Sequence, residues 1–225
     1  MNFRLFERRT VPCPTVLGWA CIVLAVCSSA WLWWFNGESF FALTERQSAD
    51  VLVVEGWIGR EGLEAAKVEF DQGGYHYLVT CGGLAKDDWD SHQWNYALDA
   101  GRLMIRLGLP ADRLIGAPAQ ETLGQRTFVS ALAAHRALEA RGLHPTAVNV
   151  FTIGSHARRS RLIFAKAFSP HTRVGVISWT PKDFSAGPWW KSSDRAEDMI
   201  KETVGYAYEL LLNSGRWSNA PTEDR

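Results

Sequence analysis

"ADVLVVEGW", residues 49–57, is a nearly uninterrupted apolar run, rich in β-branched side chains, that ends on an acid and a glycine. A half-exposed strand alternates apolar with polar positions. A run with no polar member between Val51 and Val54 therefore reads as a strand covered on both faces, as in a parallel sheet. Such a sheet needs a crossover helix after each strand, and the following residues supply one. Leu63, Ala66 and Phe70 share a helical face, and Gly73-Gly74 provides the stop. The alternation then repeats. "YHYLVTCGG" (75–83) is a second strand, and Trp94, Ala97, Leu98, Gly101 and Ile105 mark a helix closed by Pro110. "RLIGAPA" (113–119) is a third strand, followed by an amphipathic helix through Phe128, Ala131, Leu132, His135 and Leu138 that ends at Gly142. "AVNVFTIG" (147–154) and "TRVGVISW" (172–179) are the fourth and fifth strands, and a final helix carries Ile200, Val204, Ala207 and Leu211. Strands separated by helices predict a three-layer, doubly wound α/β domain with a mainly parallel, Rossmann-like sheet over residues 49–214, and a short tail over 215–225.

Ahead of that domain, Val16 to Phe35 contains no charge. At about 1.5 Å per residue these twenty residues match the roughly 30 Å hydrocarbon core, which predicts a transmembrane helix over 16–35. Arg4, Arg8 and Arg9 precede it against one Glu7, while Glu38, Glu45 and Arg46 follow. The positive-inside rule then makes residues 1–15 a cytoplasmic tail, residues 36–48 a linker, and the main domain extracytoplasmic. Trp31, Trp33 and Trp34 cluster at the outer end, where indole rings favour the headgroup layer. A cleaved signal peptide is the alternative, but the apolar run is longer than a typical h-region and the large residues after it make a poor cleavage site. The membrane bilayer is thus the first expected partner. Lys plus Arg (24) equals Asp plus Glu (24) over 225 residues, so no bulk charge draws the chain to nucleic acid. Three of the four cysteines, Cys13, Cys21 and Cys27, lie in or beside the membrane segment. Cys81 is left without an intramolecular partner in the domain, which excludes a disulfide scaffold and reads as a small buried residue.

In doubly wound sheets ligands bind beyond the carboxyl ends of the strands, so the strand-to-helix junctions are where chemistry is expected. The first offers Glu55, Gly56 and Arg60, the second Gly82-Gly83, the third Glu121, Arg126 and Thr127, and the fourth "SHARRSR" (155–161). Ser155 can cap the helix that begins there. Free N–H groups would then stand beside His156 and Arg159, which are three apart and share a face, the makings of an anion site. Arginines in a first helical turn oppose the macrodipole unless an anion compensates. Arg158 and Arg161 form a second pair displaced around the helix and read as solvated. Glu55 and Glu121 are the acid candidates, each either a general base or the partner that orients an arginine. Asp87, Asp88, Asp90 and His92 read as a solvated loop ahead of a helix rather than as metal ligands, and no metal is expected. Trp189-Trp190 can line a pocket, touch the membrane or pack in the core. No G-x-G-x-x-G follows the first strand, and neither the Walker phosphate loop nor a G-x-S-x-G elbow occurs, so none of these three sites is supported and the sequence leaves the cofactor unknown.

Taken in order, the glycine after strand one, "TCGG" (80–83), "ETLGQRTFVSA" (121–131) and "TIGSHARRSRLIF" (152–164) resemble the ElyC/SanA/YdcF family of bacterial envelope domains over about residues 49–212. The family's H-x-x-R after strand four matches His156 and Arg159, and its Gly-Gly after strand two matches Gly82 and Gly83. Of its E-x-x-S-x-N-T, Glu121 and Thr127 match, while Gly124 and Arg126 replace the serine and asparagine. The resemblance implies a bacterial inner-membrane protein with a periplasmic Rossmann-like domain. It also implies a role in envelope integrity, peptidoglycan precursor or lipid-carrier metabolism, with a phosphate-bearing or nucleotide-like ligand such as S-adenosylmethionine. With the site residues it leads to these expectations. His156, Arg159 and Arg126 hold a phosphate-bearing small molecule or lipid-linked intermediate, together with the Gly82-Gly83 backbone, Gly56, Arg60, Thr127 and Ser155. If the chain is an enzyme, phosphoryl or pyrophosphoryl transfer or hydrolysis follows, with His156 as acid or nucleophile and Glu55 or Glu121 orienting or accepting a proton. The alternatives are a non-catalytic sensing or partner-docking module, and an S-adenosylmethionine-binding domain, as in a methyltransferase facing the cytoplasm.

Overall fold

The computed structural model describes residues 12–84, 94–122, 124–168, 170–182 and 187–212. Two compact units divide the chain, the first ending at Gly37 and the second beginning at Glu38. A single helix, α1 (Val16–Phe41), runs through the first unit and contributes its last turn to the second. Thr15 opens it, its hydroxyl accepting the Gly18 N–H at 3.1 Å. With a mean hydropathy of 1.9 over its most apolar window, α1 is long and apolar enough to cross a membrane. It continues past the expected end at Phe35 because only Gly37 interrupts the pattern, and one helical glycine costs about 1 kcal/mol.

The second unit is the α/β domain. Its elements are β1 (Val51–Glu55), α2 (Gly59–Gln72), β2 (Tyr77–Gly82), α3 (Tyr96–Arg106), β3 (Leu114–Pro118), α4 (Arg126–Ala140), β4 (Ala147–Ile153), α5 (Ala157–Phe168), β5 (Arg173–Trp179) and α6 (Ser193–Leu211). All five strands are parallel in the order β3-β2-β1-β4-β5, with Val53 of β1 facing Val79 of β2 and Val150 of β4. Successive side chains of a strand point to opposite faces, so β1 feeds two cores. Val51 and Val53 pack with Phe128 of α4 and with Phe164 and Phe168 of α5. Leu52 and Val54 pack with Leu63 and Phe70 of α2 and with Met104 of α3. The predicted three-layer architecture is the observed one.

Three features depart from the sequence reading. The expected linker 36–48 is partly fixed to the sheet. Glu45 pairs antiparallel with Val176, and buried Asn149 accepts the Gln47 N–H at 2.8 Å and donates to its carbonyl at 2.9 Å. In α3 the buried face is Ala97, Ala100, Gly101, Leu103 and Met104, which leaves Leu98 and Ile105 exposed. The largest departure is α6. Its apolar stripe looks outward, with Ile200 59%, Val204 66% and Leu211 77% exposed, while Arg195, Met199, Glu202 and Glu209 are buried. Ion pairs decide this orientation. Arg195 meets Glu38, Glu202 meets Arg159, and Glu209 meets Lys166 at 2.9 Å. Burying aliphatic side chains here instead would strand charges on the neighbouring elements, at several kcal/mol each.

Candidate functional site

Strand order reverses beside β1, since β2 and β3 lie on one side of it and β4 and β5 on the other, which makes the carboxyl ends of β1 and β4 the topological switch point. A cleft of about 880 Å³ opens at this edge. Its walls include Trp57 after β1, Gly82 and Gly83 at the end of β2, Gln120 and Glu121 after β3, Gly154 and Ser155 after β4, the start of α4, and α6. Four junctions converge as the alternation of strands and helices predicts.

His156, Arg159 and Glu202 line the cleft and, with Glu55 buried behind them and not itself in the lining, form a network of four charged groups. Glu55, the last residue of β1, is 1% exposed, and its Oε2 accepts hydrogen bonds from Thr152 and from Ser160 (2.9 Å). His156 lies 3.6 Å away through Nε2, an ion pair too long for a hydrogen bond. On the other side of the ring, Nδ1 meets Glu202 Oε1 at 2.9 Å, and since a carboxylate only accepts, Nδ1 carries the proton. Arg159 grips Glu202 through Nε to Oε2 (2.6 Å) and Nη2 to Oε1 (2.9 Å). Its Nη2 also stands 3.0 Å from His156 Nδ1, so two donors crowd together and only Glu202 holds them. Trp57 crosses the imidazole at 85° with ring centroids 5.0 Å apart.

These contacts set the protonation states. Burial works to discharge His156, but the charge of Glu55 and the hydrogen bond and charge of Glu202 outweigh it and raise its pKa to about 9. Burial raises the carboxyl of Glu202, yet the hydrogen bonds from Arg159 and His156 bring it down to about 2. Glu55 follows the same balance, with desolvation overcome by the His156 charge and the bonds from Thr152 and Ser160, and sits below its ordinary value. The network is two carboxylates against an imidazolium and a guanidinium, neutral in sum.

This arrangement changes the parts assigned to several residues. His156 turns both ring nitrogens to carboxylates, Glu202 at 2.9 Å and Glu55 at 3.6 Å, and its raised pKa favours the protonated ring, which suits the acid role better than the nucleophile role. Arg159 shares its face, as the spacing predicts, but is committed to Glu202 instead of being free for an anion. Ser155 does not cap α5, which is entered through a 3-10 turn at Gly154–His156 whose start has no side-chain cap. Arg60 is exposed and pairs with Glu64 on its own helix at 2.9 Å, away from the cleft. Gly56 is likewise not among the residues that line the cleft. A Cβ there would stand 2.4 Å from the Tyr96 carbonyl oxygen, so the position needs glycine for the close approach of α3. Gly56→Ala is expected to cost about 2 kcal/mol and lower the thermal midpoint of the domain by roughly 4–8 °C, and an unchanged midpoint would contradict that packing.

Gly82, Gly83, Glu121, Arg126 and Thr127 do line the cleft. Arg126 opens α4, is exposed, and has no ion-pair or hydrogen-bond partner among the described residues. No side chain caps α4, whose preceding residue Gln125 is held in the left-handed region at φ 54°. A non-glycine residue there costs on the order of 1 kcal/mol or more and is typical of ligand clamps. Asp198 and Lys201 of α6 add charge to the wall, and burial holds the Asp198 carboxyl above its ordinary range. Cys81 is fully buried with its thiol pushed well up by desolvation, so it is no nucleophile. Trp189 is buried and packs edge-on against Trp190. Asp87, Asp88, Asp90 and His92 lie outside the described residues, among which no group of His, Cys, Asp or Glu is placed to hold a metal.

Sequence reasoning missed Thr152, Ser160 and Glu202. For Glu202 a signal existed, because Arg195, Glu202 and Glu209 recur every seventh residue and so share a helical face opposite the apolar stripe. No family model matches the chain, and no curated protein matches it.

Proposed function

We propose that the chain is a single-pass inner-membrane protein of the bacterial cell envelope, of the ElyC/SanA/YdcF type. In this reading α1 is the anchor, the N-terminus is cytoplasmic, and the periplasmic α/β domain binds a phosphate-bearing, lipid- or sugar-linked ligand. The observation that carries the binding reading is the wall of the cleft where Arg126, uncommitted among the described residues, meets the uncapped start of α4 near Gly82-Gly83. Unbonded N–H groups, the positive end of a helix and a free guanidinium are together what a phosphate selects. This moves the anion position from α5, whose His156 and Arg159 are neutralised, to α4. The charge-neutral network on the floor, with His156 Nδ1 and Arg159 both bonded to Glu202, favours binding over nucleophilic catalysis by His156. Were the ligand to turn over, phosphoryl or pyrophosphoryl chemistry would draw its base from Glu121, which stands exposed in the wall, while Glu55 positions the His156 ring behind it.

The test is thermal denaturation of the full chain in detergent micelles against pyrophosphate, nucleotide sugars, a polyprenyl phosphate analogue and S-adenosylmethionine. A ligand at a hundred times its Kd adds about 2.7 kcal/mol, which raises the midpoint by several degrees. Arg126→Ala should weaken a phosphate compound about ten- to a hundredfold, the range for a hydrogen bond to a charged group. A shift unchanged in Arg126→Ala would place the ligand elsewhere, and a shift with S-adenosylmethionine alone would replace the phosphate reading with a cofactor-binding one.

A further inference from the structure

The outward stripe of α6 continues into a helix end whose exposed side chains are mostly apolar. Val204 is 66% exposed, Leu210 59%, Leu211 77% and Leu212 51%. From Val204 to Leu212 the sole charged residue is Glu209, and it is buried against Lys166. The exposed charges of the helix, Asp194, Glu197, Asp198 and Lys201, all belong to its first half. Successive residues of a helix point about 100° apart, so Leu210, Leu211 and Leu212 look in three different directions. A protein lying alongside α6 would cover one of them. An apolar medium that surrounds the helix end covers all three, and a soluble surface does not otherwise leave such a run to water.

The position of this end in the chain identifies the medium. Tyr206, on the same half of α6, packs edge-on against Phe40 and Phe41, with ring centroids 5.9 and 5.8 Å away. Arg158 donates to the Phe40 carbonyl at 2.5 Å, and Arg195 at the start of α6 holds Glu38. Those partners follow directly on the apolar run that ends at Phe35. At no more than about 3.6 Å per residue, Phe40 lies within roughly 18 Å of the end of that run.

We propose that the C-terminal half of α6, from Val204 to Leu211, and the Leu212 that follows it are seated in the interface of the bilayer that α1 crosses, as a monotopic contact. Its leucines would enter the acyl boundary, and Tyr206 and Tyr208 would lie at headgroup depth, where tyrosine is favoured. The inference rests on the reading of α1 as a membrane anchor and is independent of what the cleft binds.

Photo-crosslinking of the full chain tests it. The protein is reconstituted in vesicles of phosphatidylethanolamine and phosphatidylglycerol with p-benzoylphenylalanine at one position at a time. Position 211 probes the helix end, position 24, in the apolar run of α1, probes the span, and position 68, where Val68 is 53% exposed on α2, serves as the aqueous control. The expected result is lipid adducts at 24 and 211, several-fold above position 68. Adducts at 24 with only the control level at 211 would overturn the docking of α6 while leaving the anchor intact. Control levels at both would overturn the anchor and the docking together. A protein–protein adduct at 211 in place of lipid would assign the surface to a second copy instead.

Discussion

Replacing Glu202 with alanine is expected to destabilise the α/β domain by about 3–5 kcal/mol, the range for breaking a buried ion pair by removing one partner. The residue is 2% exposed and its two oxygens take three contacts, two from Arg159 and one from His156. Without it a guanidinium and an imidazolium remain 3.0 Å apart and part-buried, with Glu55 as the nearest opposing charge on one side only. The loss also loosens α6 from α5 at the middle of its buried face, leaving Met199 and the Glu209–Lys166 and Arg195–Glu38 ion pairs to hold it. For a domain of this size the thermal midpoint should fall by roughly 6–20 °C, measured on the full chain in micelles. Glu197→Ala, an exposed acid on the same helix, is the control and should stay within about 0.5 kcal/mol of the parent. Equal effects from the two substitutions would mean that the network contributes no more than a surface charge.

The pH dependence of stability is the second large effect, and it has two limbs. His156 holds its proton more tightly when folded, with a pKa of about 9 against an ordinary 6.5. Its contribution is therefore complete below about pH 6.5 and is lost as pH rises through 9. Glu202 is the opposite case, at about 2 against an ordinary 4.5, so its contribution is complete above about pH 4.5 and is lost as pH falls toward 2. Glu55, also lowered, adds to the acid limb. At 1.36 kcal/mol per unit each limb is worth on the order of 3 kcal/mol. The two are not additive, because the same contact produces both. Urea unfolding should give a plateau between about pH 4.5 and 6.5 and a clear loss by about pH 9.5. His156→Gln should flatten the alkaline limb. An alkaline limb that persists in that variant would assign the proton to another group.

Much of this protein can be read from its sequence because the controlling interactions are local or periodic. The unbroken run Val51–Val54 requires cover on both faces, the helices between strands require parallel crossovers, and both follow from spacing alone. The five strands, the helices between them and the long apolar helix at the start are accordingly where they were expected. The convergence of four strand ends on one edge is likewise a consequence of parallel topology, and Gly82, Gly83, Glu121, Arg126 and Thr127 line the cleft there.

What only the tertiary structure decided is which charges meet. Glu202 lies 46 residues from His156 in sequence, and Glu55 lies 105 residues from Ser160. No periodicity links residues on different elements, so the pairing that commits Arg159 to Glu202 was not legible. The same cause turned α6 over. Its hydrophobic stripe argues for burial, and in isolation that argument is sound. Arg159, Lys166 and Glu38 present charges that its opposite face must meet, and stranding several buried charges costs more than leaving a few aliphatic side chains uncovered by protein.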